Sequence, residues 1–308
     1  MSLQVGNIST LPSRVLLATD LTDLQHTLPV AIDHALKCKA ELKLIHVLPE
    51  VNISDTNLPL LVHGDGDGVE SHARTVLEDA AKKAREAGVQ CAWTMRTCRV
   101  ADTIRQVVQE WSPDHVIIGS HGAQKAQQEL LGSVAESIFR EIEVPVLAIG
   151  PAAHRDGKFF SKDARVLFAT ALNRESRAVA ESVLRFARIH QADLTMLHVL
   201  PEVAKAHPSA SRVRSYAERM FQEILSGIGA EEARPACIIE RGQVVETILL
   251  VAGQGNFDLI LLGAVSGSSF RRELVPGTAY GVISRAPCPV LVLKEAPFSG
   301  TPGLPAAS

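Results

Sequence analysis

The chain lacks the features that mark membrane, secreted and polyanion-binding proteins. No apolar run in its 308 residues approaches the ~20 residues that a membrane-spanning helix needs. Its five cysteines are odd in number and widely spaced, without a C-x-x-C, so neither a disulfide framework nor a zinc site is indicated. A net charge of −3 disfavours a nucleic-acid partner. Residues 1–10 show no basic-then-apolar signal pattern, so we expect a cytoplasmic protein.

The common nucleotide and hydrolase signatures are also missing. The sequence contains no G-x4-G-K-[ST], no H-E-x-x-H and no G-x-S-x-G. What the chain does have is a composition of 46% hydrophobic and 21% charged residues, which predicts a packed core. The length favours two domains over one.

The chain repeats itself. Residues 14–20 (RVLLATD) match 165–171 (RVLFATA), and residues 44–50 (LIHVLPE) match 196–202 (MLHVLPE). A constant offset of 144 aligns residues 114–149 with 258–293 without a gap. This agreement predicts a duplicated domain. We place the domains at 14–150 and 165–294, a linker at 151–164 and a disordered tail at 295–308.

Each repeat alternates strands with helices. Short apolar runs such as 15–18 are typical of strands buried on both faces. Pro29 is interpreted as a first-turn proline of a helix that reaches about Lys39, and a second helix is predicted over 69–87. The order predicts an α/β fold with a parallel sheet covered by helices on both faces. Ligands of such sheets bind at the carboxyl ends of the strands, where the strand order reverses.

A glycine pattern follows the run at 115–118. Gly119, Gly122, Gly132 and Ser133 form G-x2-G-x9-G-S, and a helical pattern comes next. Backbone N–H groups approach an anion closely where no Cβ intervenes, and a helix N-terminus adds free donors, so the pattern suits a phosphate group. Two plainer readings stay open: βα loops are often glycine-rich, and Ser133 with Glu136 has the spacing of a helix-capping box.

The end of the first strand adds polar groups to the same edge of the sheet. Asp20 can reach a ribose hydroxyl or hold Mg²⁺ through water, and Thr19 offers a hydroxyl. The alternative for Asp20 is a turn or helix-capping role. His46 and His198 occupy matching positions on apolar strands, which favours hydrogen-bonded structural residues over catalysts. Ser120 and His121 are adjacent, but no orienting acid can be assigned, so no catalytic residue is predicted.

One further loop invites a metal interpretation. Residues 63–68 (HGDGDG) lack the ligand ladder and closing glutamate of an EF-hand. A mobile, glycine-rich surface loop is the better interpretation, and no metal ligands are assigned.

Taken together, these segments resemble the universal stress protein family in its tandem form. The resemblance rests on residues 15–20, 46–47, 119–122, 132–135 and 144–147 and extends over both repeats. It implies two tandem doubly wound, five-stranded parallel-sheet domains of the Rossmann-like, adenine nucleotide alpha hydrolase-like type. It also implies ATP, with or without Mg²⁺, held in the first repeat by these residues: Thr19, Asp20, Val47, Gly119, Gly122, Gly132, Ser133 and Val134.

The second repeat departs from the pattern at the same positions. Ala171 replaces the acid, Ser266 and Pro276 replace two glycines, and Gly277 replaces the serine. Since proline lacks an N–H, Pro276 removes a donor where the phosphate would lie. We therefore predict one nucleotide per chain. Family members commonly pair their last strands, which implies an internal pseudo-dimer here and leaves a further homodimer open.

Three functions compete. The first is a stress-response regulator that binds ATP or a related adenine nucleotide, hydrolyses it slowly at most, and acts on an unidentified protein partner. The second is a weak ATPase or nucleotidyl-transfer enzyme on the same fold. The third is a scaffold with a vestigial site. The intact glycines and Ser133 of the first repeat count against the scaffold.

Overall fold

The computed structural model describes residues 11–48, 66–119, 135, 138–139, 142–153, 158–172, 176–200, 202, 209–226, 234–265 and 276–295. Strands and helices alternate along this part of the chain, as predicted. The ten strands are β1 Arg14–Ala18, β2 Glu41–Leu48, β3 Cys91–Thr97, β4 His115–Gly119, β5 Val146–Ile149, β6 Arg165–Ala169, β7 Asp193–Leu200, β8 Ala236–Arg241, β9 Leu259–Val265 and β10 Val290–Glu295. The described helices are α1 Leu24–Cys38, α2 Gly66–Glu86, α3 Val100–Trp111, α4 Ser176–His190, α5 Ser209–Leu225, α6 Val244–Gln254 and α7 Pro276–Arg285.

All ten strands form one sheet in the order β3-β2-β1-β4-β5-β10-β9-β6-β7-β8. Each half is parallel and doubly wound, with the strand order reversing between β1 and β4 or between β6 and β9. The halves join where β5 and β10 pair antiparallel, with Leu147 opposite Leu291. The predicted α/β fold and internal pseudo-dimer are both confirmed.

The side chains of the strands alternate between two cores, one on each face of the sheet. Val15 and Leu17 point toward the core shared with α1, α2, α4 and α5. Leu16 and Ala18 point toward the opposite core, which α3, α6 and α7 cover. Because both faces are buried, the central strands consist of consecutive apolar residues, which is why the runs were readable in the sequence.

Two helix predictions were wrong at their starts. Helix α1 begins at Leu24, five residues before Pro29, so Pro29 lies inside the helix. The ring of Pro29 is exposed. Proline has no N–H, so one hydrogen bond of the helix is missing at this turn, but the turn faces solvent and not the sheet. Helix α2 begins at Gly66, so residues 66–68 of the predicted surface loop belong to its first turn. Residues 63–65 lie outside the described residues.

The segment predicted to link the repeats contributes to the core. A helical turn, Lys158–Phe160, places Phe159 and Phe160 in the core, 2% and 3% exposed. The ring of Phe160 stacks on His34 of α1 at 4.0 Å between centroids. On its other side it meets Phe186 edge-on at 5.6 Å, on α4. One side chain therefore packs against equivalent helices of both halves. The predicted tail, apart from Glu295, lies outside the described residues.

Three buried histidines surround Phe160. His34 Nε2 lies 2.9 Å from His115 Nδ1 at the start of β4, so one ring donates and the other accepts. The ring of His190, the last residue of α4, is tilted against Phe160, with 5.3 Å between the ring centroids. Burial lowers the pKa of His115 to about 4, and it lowers the pKa values of His34 and His190 as well. The cluster is therefore neutral at pH 7.

Candidate functional site

The end of β1 carries the first polar groups of the candidate site. Thr19 is buried, and its N–H donates to Ile45 O at 3.0 Å, which continues the pairing with β2. Its hydroxyl accepts from Leu21 N–H at 2.9 Å and donates to Asp23 Oδ1 at 2.7 Å. Leu21 has a φ of 74°, so the chain turns sharply from the strand into α1. Both hydrogen-bonding functions of the Thr19 hydroxyl are used within this turn.

Asp20 is exposed at the strand end. Its Oδ1 accepts from Thr22 N–H at 2.9 Å and from the Thr22 hydroxyl at 2.7 Å. This is the turn role weighed from the sequence, since aspartate side chains commonly accept from the backbone two residues on. Oδ2 has no hydrogen bond among the described residues, so the carboxylate can take part in the turn and still accept from a ligand hydroxyl.

The neighbouring strand β2 contributes Val47 and His46. Val47 is 6% exposed and belongs to the core that α3 covers. His46 Nδ1 lies 2.9 Å from Thr19 O, and because a carbonyl only accepts, this nitrogen carries the proton. His198 makes the same contact with Thr170 O at 2.8 Å in the second repeat. The structural role predicted for this histidine pair is confirmed.

Gly119 ends β4, the strand beside β1 on the other side. Residues 15–18 pair with residues 115–118, so Gly119 lies at the same edge of the sheet as Thr19 and Asp20. A Cβ on Gly119 would fall 1.8 Å from Asp23 Oδ2. A side chain at this position would therefore displace the Asp23 carboxyl group, which occupies the space above the strand end.

Asp23 has an unusual environment for an acid. It precedes α1 in the capping position, but its side chain makes no capping hydrogen bond and turns toward Thr19 and Gly119 instead. Burial raises the pKa of Asp23 to about 6, the hydrogen bond from Thr19 opposes this shift, and the charge of Asp20 adds to it. The Asp23 carboxyl group therefore takes up a proton at a higher pH than an ordinary aspartate does.

The remaining predicted binding residues are Gly122, Gly132, Ser133 and Val134, and they lie outside the described residues. Just beyond them, Ala135, Ile138 and Phe139 are helical and buried, as the prediction of a helix after Ser133 requires. The structure thus brings Thr19, Asp20 and Gly119 to one edge, with Val47 on the adjoining strand.

The second repeat keeps the turn and loses the polar groups. Thr170 accepts from Leu172 N–H at 3.2 Å, and Leu172 has a φ of 53°. Ala171 stands where Asp20 stands in the first repeat. At Gly263, the counterpart of Gly119, an added Cβ would meet Val179 Cγ1 at 3.2 Å. An apolar side chain therefore packs where the first repeat has a carboxyl group.

Sequence reasoning missed Asp23 and the histidine cluster. A signal for Asp23 was present, because an acid three residues after Asp20 directly precedes the apolar pattern of α1. For the cluster, His34 and Cys38 have helical i, i+4 spacing and indicate one buried face. His115 is 81 residues from His34, so only the three-dimensional structure brings the two together.

Two kinds of feature are absent from the described residues. No group of three or more His, Cys, Asp or Glu side chains is arranged to hold a metal ion there. No helix in that same part of the chain combines the length and the apolar character needed to cross a bilayer.

The fold and the polar strand ends define a class: tandem doubly wound α/β proteins whose two repeats share one sheet. Comparison with known proteins specifies the class further. The model of the universal stress protein family matches residues 12–150 and 164–294. The chain belongs to the universal stress protein family, in its tandem form.

Relatives match in one or two copies of the repeat. Universal stress protein Slr1230 of Synechocystis is 25% identical over 304 residues, which cover 91% of this chain and 99% of the relative. Universal stress protein YxiE of Bacillus subtilis is 26% identical over 145 residues, 44% of this chain and 98% of the relative. The crystal structure of a universal stress protein from Archaeoglobus fulgidus superposes with a TM-score of 0.66 at 22% identity and covers 96% of this chain and 100% of that one. This last likeness supports the fold.

Proposed function

We propose that the chain is a regulatory protein that binds one adenine nucleotide, ATP in the first instance, in its first repeat. The observation that carries the proposal is that Asp20 and Gly119, the first glycine of the pattern, lie at one edge of the sheet where the strand order reverses. Doubly wound sheets bind ligands at this point. In the proposal, Asp20 accepts from the ribose, Val47 contacts the base, and the N–H groups around Gly119, Gly122, Gly132 and Ser133 hold the phosphates, with Thr19 and Val134 beside them.

Regulation is favoured over catalysis by what the described residues supply. Asp20 is engaged by Thr22, and the Thr19 hydroxyl by Leu21 and Asp23, so both side chains are fixed within a turn. Asp23, the third acid at this edge, is likewise held by the Thr19 hydroxyl. Slow hydrolysis at most is therefore proposed, and the nucleotide state is proposed to change the affinity for a protein partner.

The first test identifies the nucleotide. Freshly purified protein is denatured and the released small molecules are identified by mass spectrometry; calorimetry then measures ATP binding to the emptied chain. We expect an adenine nucleotide and a stoichiometry near one. A chain that neither releases nor takes up a nucleotide would favour the scaffold function instead.

Matched glycine variants test the position of the site. Gly122→Asp and Gly132→Asp place a charged side chain in the proposed phosphate loop and should abolish binding. Gly253→Asp is the control, because a Cβ on Gly253 of α6 would meet no atom within 4 Å. If the control also lost binding, the loss would be due to general destabilisation, which would contradict the proposed site.

A further inference from the structure

The Asp23 carboxyl group lies where an incoming phosphate would approach the strand end. Its Oδ2 fills the space above Gly119, and its Oδ1 is held by the Thr19 hydroxyl at 2.7 Å. Gly119 is also the first glycine of the proposed phosphate loop. An acid fixed at this position places a negative charge against the most negative part of the ligand.

The described residues around Asp23 do not neutralise that charge. Just after β1, Asp20 adds a second negative charge. On β2, His46 directs Nδ1 to the Thr19 carbonyl. Gly119 of β4 contributes no charge, and among the described residues no lysine or arginine forms an ion pair with Asp23. The N-terminus of α1 favours a negative charge, but the Asp23 side chain does not cap it.

Building on the proposed function, we propose that Asp23 is a charge gate for the nucleotide: its carboxylate opposes the phosphate tail, and its protonation in mild acid strengthens binding. Because burial raises the pKa of Asp23 to about 6, the change falls within a range reached by moderate acidification. The polyphosphate is thus favoured as pH falls from about 7.5 to 5. A nucleoside without phosphate should be indifferent to the gate.

The test compares three full-length proteins: the wild type, Asp23→Asn and the control Asp193→Asn. Asparagine keeps an oxygen that can accept from Thr19, so the turn is preserved while the charge is lost. Asp193 is an exposed acid at the start of β7 in the other half of the sheet. Calorimetry measures ATP and adenosine affinity at pH 7.5 and 5, in EDTA, and thermal melting verifies folding.

At pH 7.5 we expect Asp23→Asn to bind ATP about tenfold more tightly than the wild type, as for removal of one nearby like charge. At pH 5 the two should bind alike. The phosphates of ATP titrate in the same way with all three proteins. The difference in ATP affinity between the proteins therefore reports the charge of Asp23 alone. Adenosine affinity and the behaviour of Asp193→Asn should match the wild type at both pH values.

Three outcomes would overturn the gate while leaving nucleotide binding established: equal ATP affinities at pH 7.5, weaker binding by Asp23→Asn, or an equal gain for adenosine, which would indicate a change of shape. Absence of ATP binding by every protein at both pH values would instead refute the proposed function, and the gate with it.

Discussion

The two repeats have the same strand order and the same turn after the first strand, yet they end that strand differently. In the first, Asp20 and Asp23 lie beside Gly119; in the second, Ala171 follows the strand and Val179 packs on Gly263. Two side chains that hold the strand ends in place, the threonine hydroxyl and the histidine on the second strand, are present in both repeats. The scaffold of the site is thus separable from the side chains that would bind a ligand.

The largest expected effect tests whether the halves are one folding unit. Phe160→Ala removes a fully packed ring from between α1 and α4 and should lower the free energy of unfolding by about 3–5 kcal/mol. Urea denaturation measures it. Leu250→Ala, at a side chain 57% exposed, should change stability by less than about 0.5 kcal/mol. If Phe160→Ala destabilised only one of two separate transitions, the halves would be independent.

The second-largest effect is a loss of stability in acid, caused by the buried histidines that the first repeat contributes to the junction between the two halves. The folded-state pKa of His115 is about 4 and its ordinary value is 6.5, so the unfolded chain binds more protons between these values. Neutral His115 therefore contributes about 3 kcal/mol to the free energy of unfolding above pH 6.5, and this contribution is lost as the pH falls toward 4. Asp23, whose pKa is raised, opposes this trend below pH 6.

The histidine contribution is isolated by substitution. His115→Gln cannot titrate and should flatten the fall of stability between pH 6.5 and 4, measured by urea unfolding at each pH. His72→Gln, at an exposed histidine of α2, should leave the slope unchanged. An unchanged slope in His115→Gln would exclude His115 as a source of acid sensitivity.

A smaller effect is expected from exchanging the residues that follow the first strand of each repeat. Asp20→Ala should weaken ATP binding about tenfold, since a ribose hydroxyl loses a charged acceptor. Ala171→Asp should not create a second site, because Val179 already packs on Gly263. Calorimetric stoichiometry decides: a value near two for Ala171→Asp, or for the wild type, would contradict the assignment of one site per chain.

The smallest effect compares two threonines. Thr19→Val loses two hydrogen bonds, to Leu21 and Asp23, whereas Thr170→Val loses the bond from Leu172. We expect both to be destabilising, with Thr19→Val the more costly by about 1 kcal/mol. Equal unfolding midpoints would mean that the hydrogen bond to Asp23 contributes nothing.

The sequence predicted what depends on local pattern. The apolar run at 115–118 lies in β4. The pairing of the last strands was implied by the resemblance to the family, and the two strands do pair. The start of α1 did not follow, because a proline is compatible with a first turn and also with an exposed interior position, as at Pro29. The contact of Asp23 with Gly119 required knowing that β1 and β4 are neighbours and that the carboxyl group leaves the cap.

The antiparallel pairing of β5 with β10 has a consequence for how such a protein diversifies. In a dimer of identical chains, every substitution occurs twice, and a change that empties one site empties the other. Here the seam between halves lies within a single polypeptide, with Leu147 opposite Leu291. The second repeat can therefore carry alanine where the first carries an acid. Joining the two halves in one chain thus allows the two ends of a single sheet to differ permanently in their side chains.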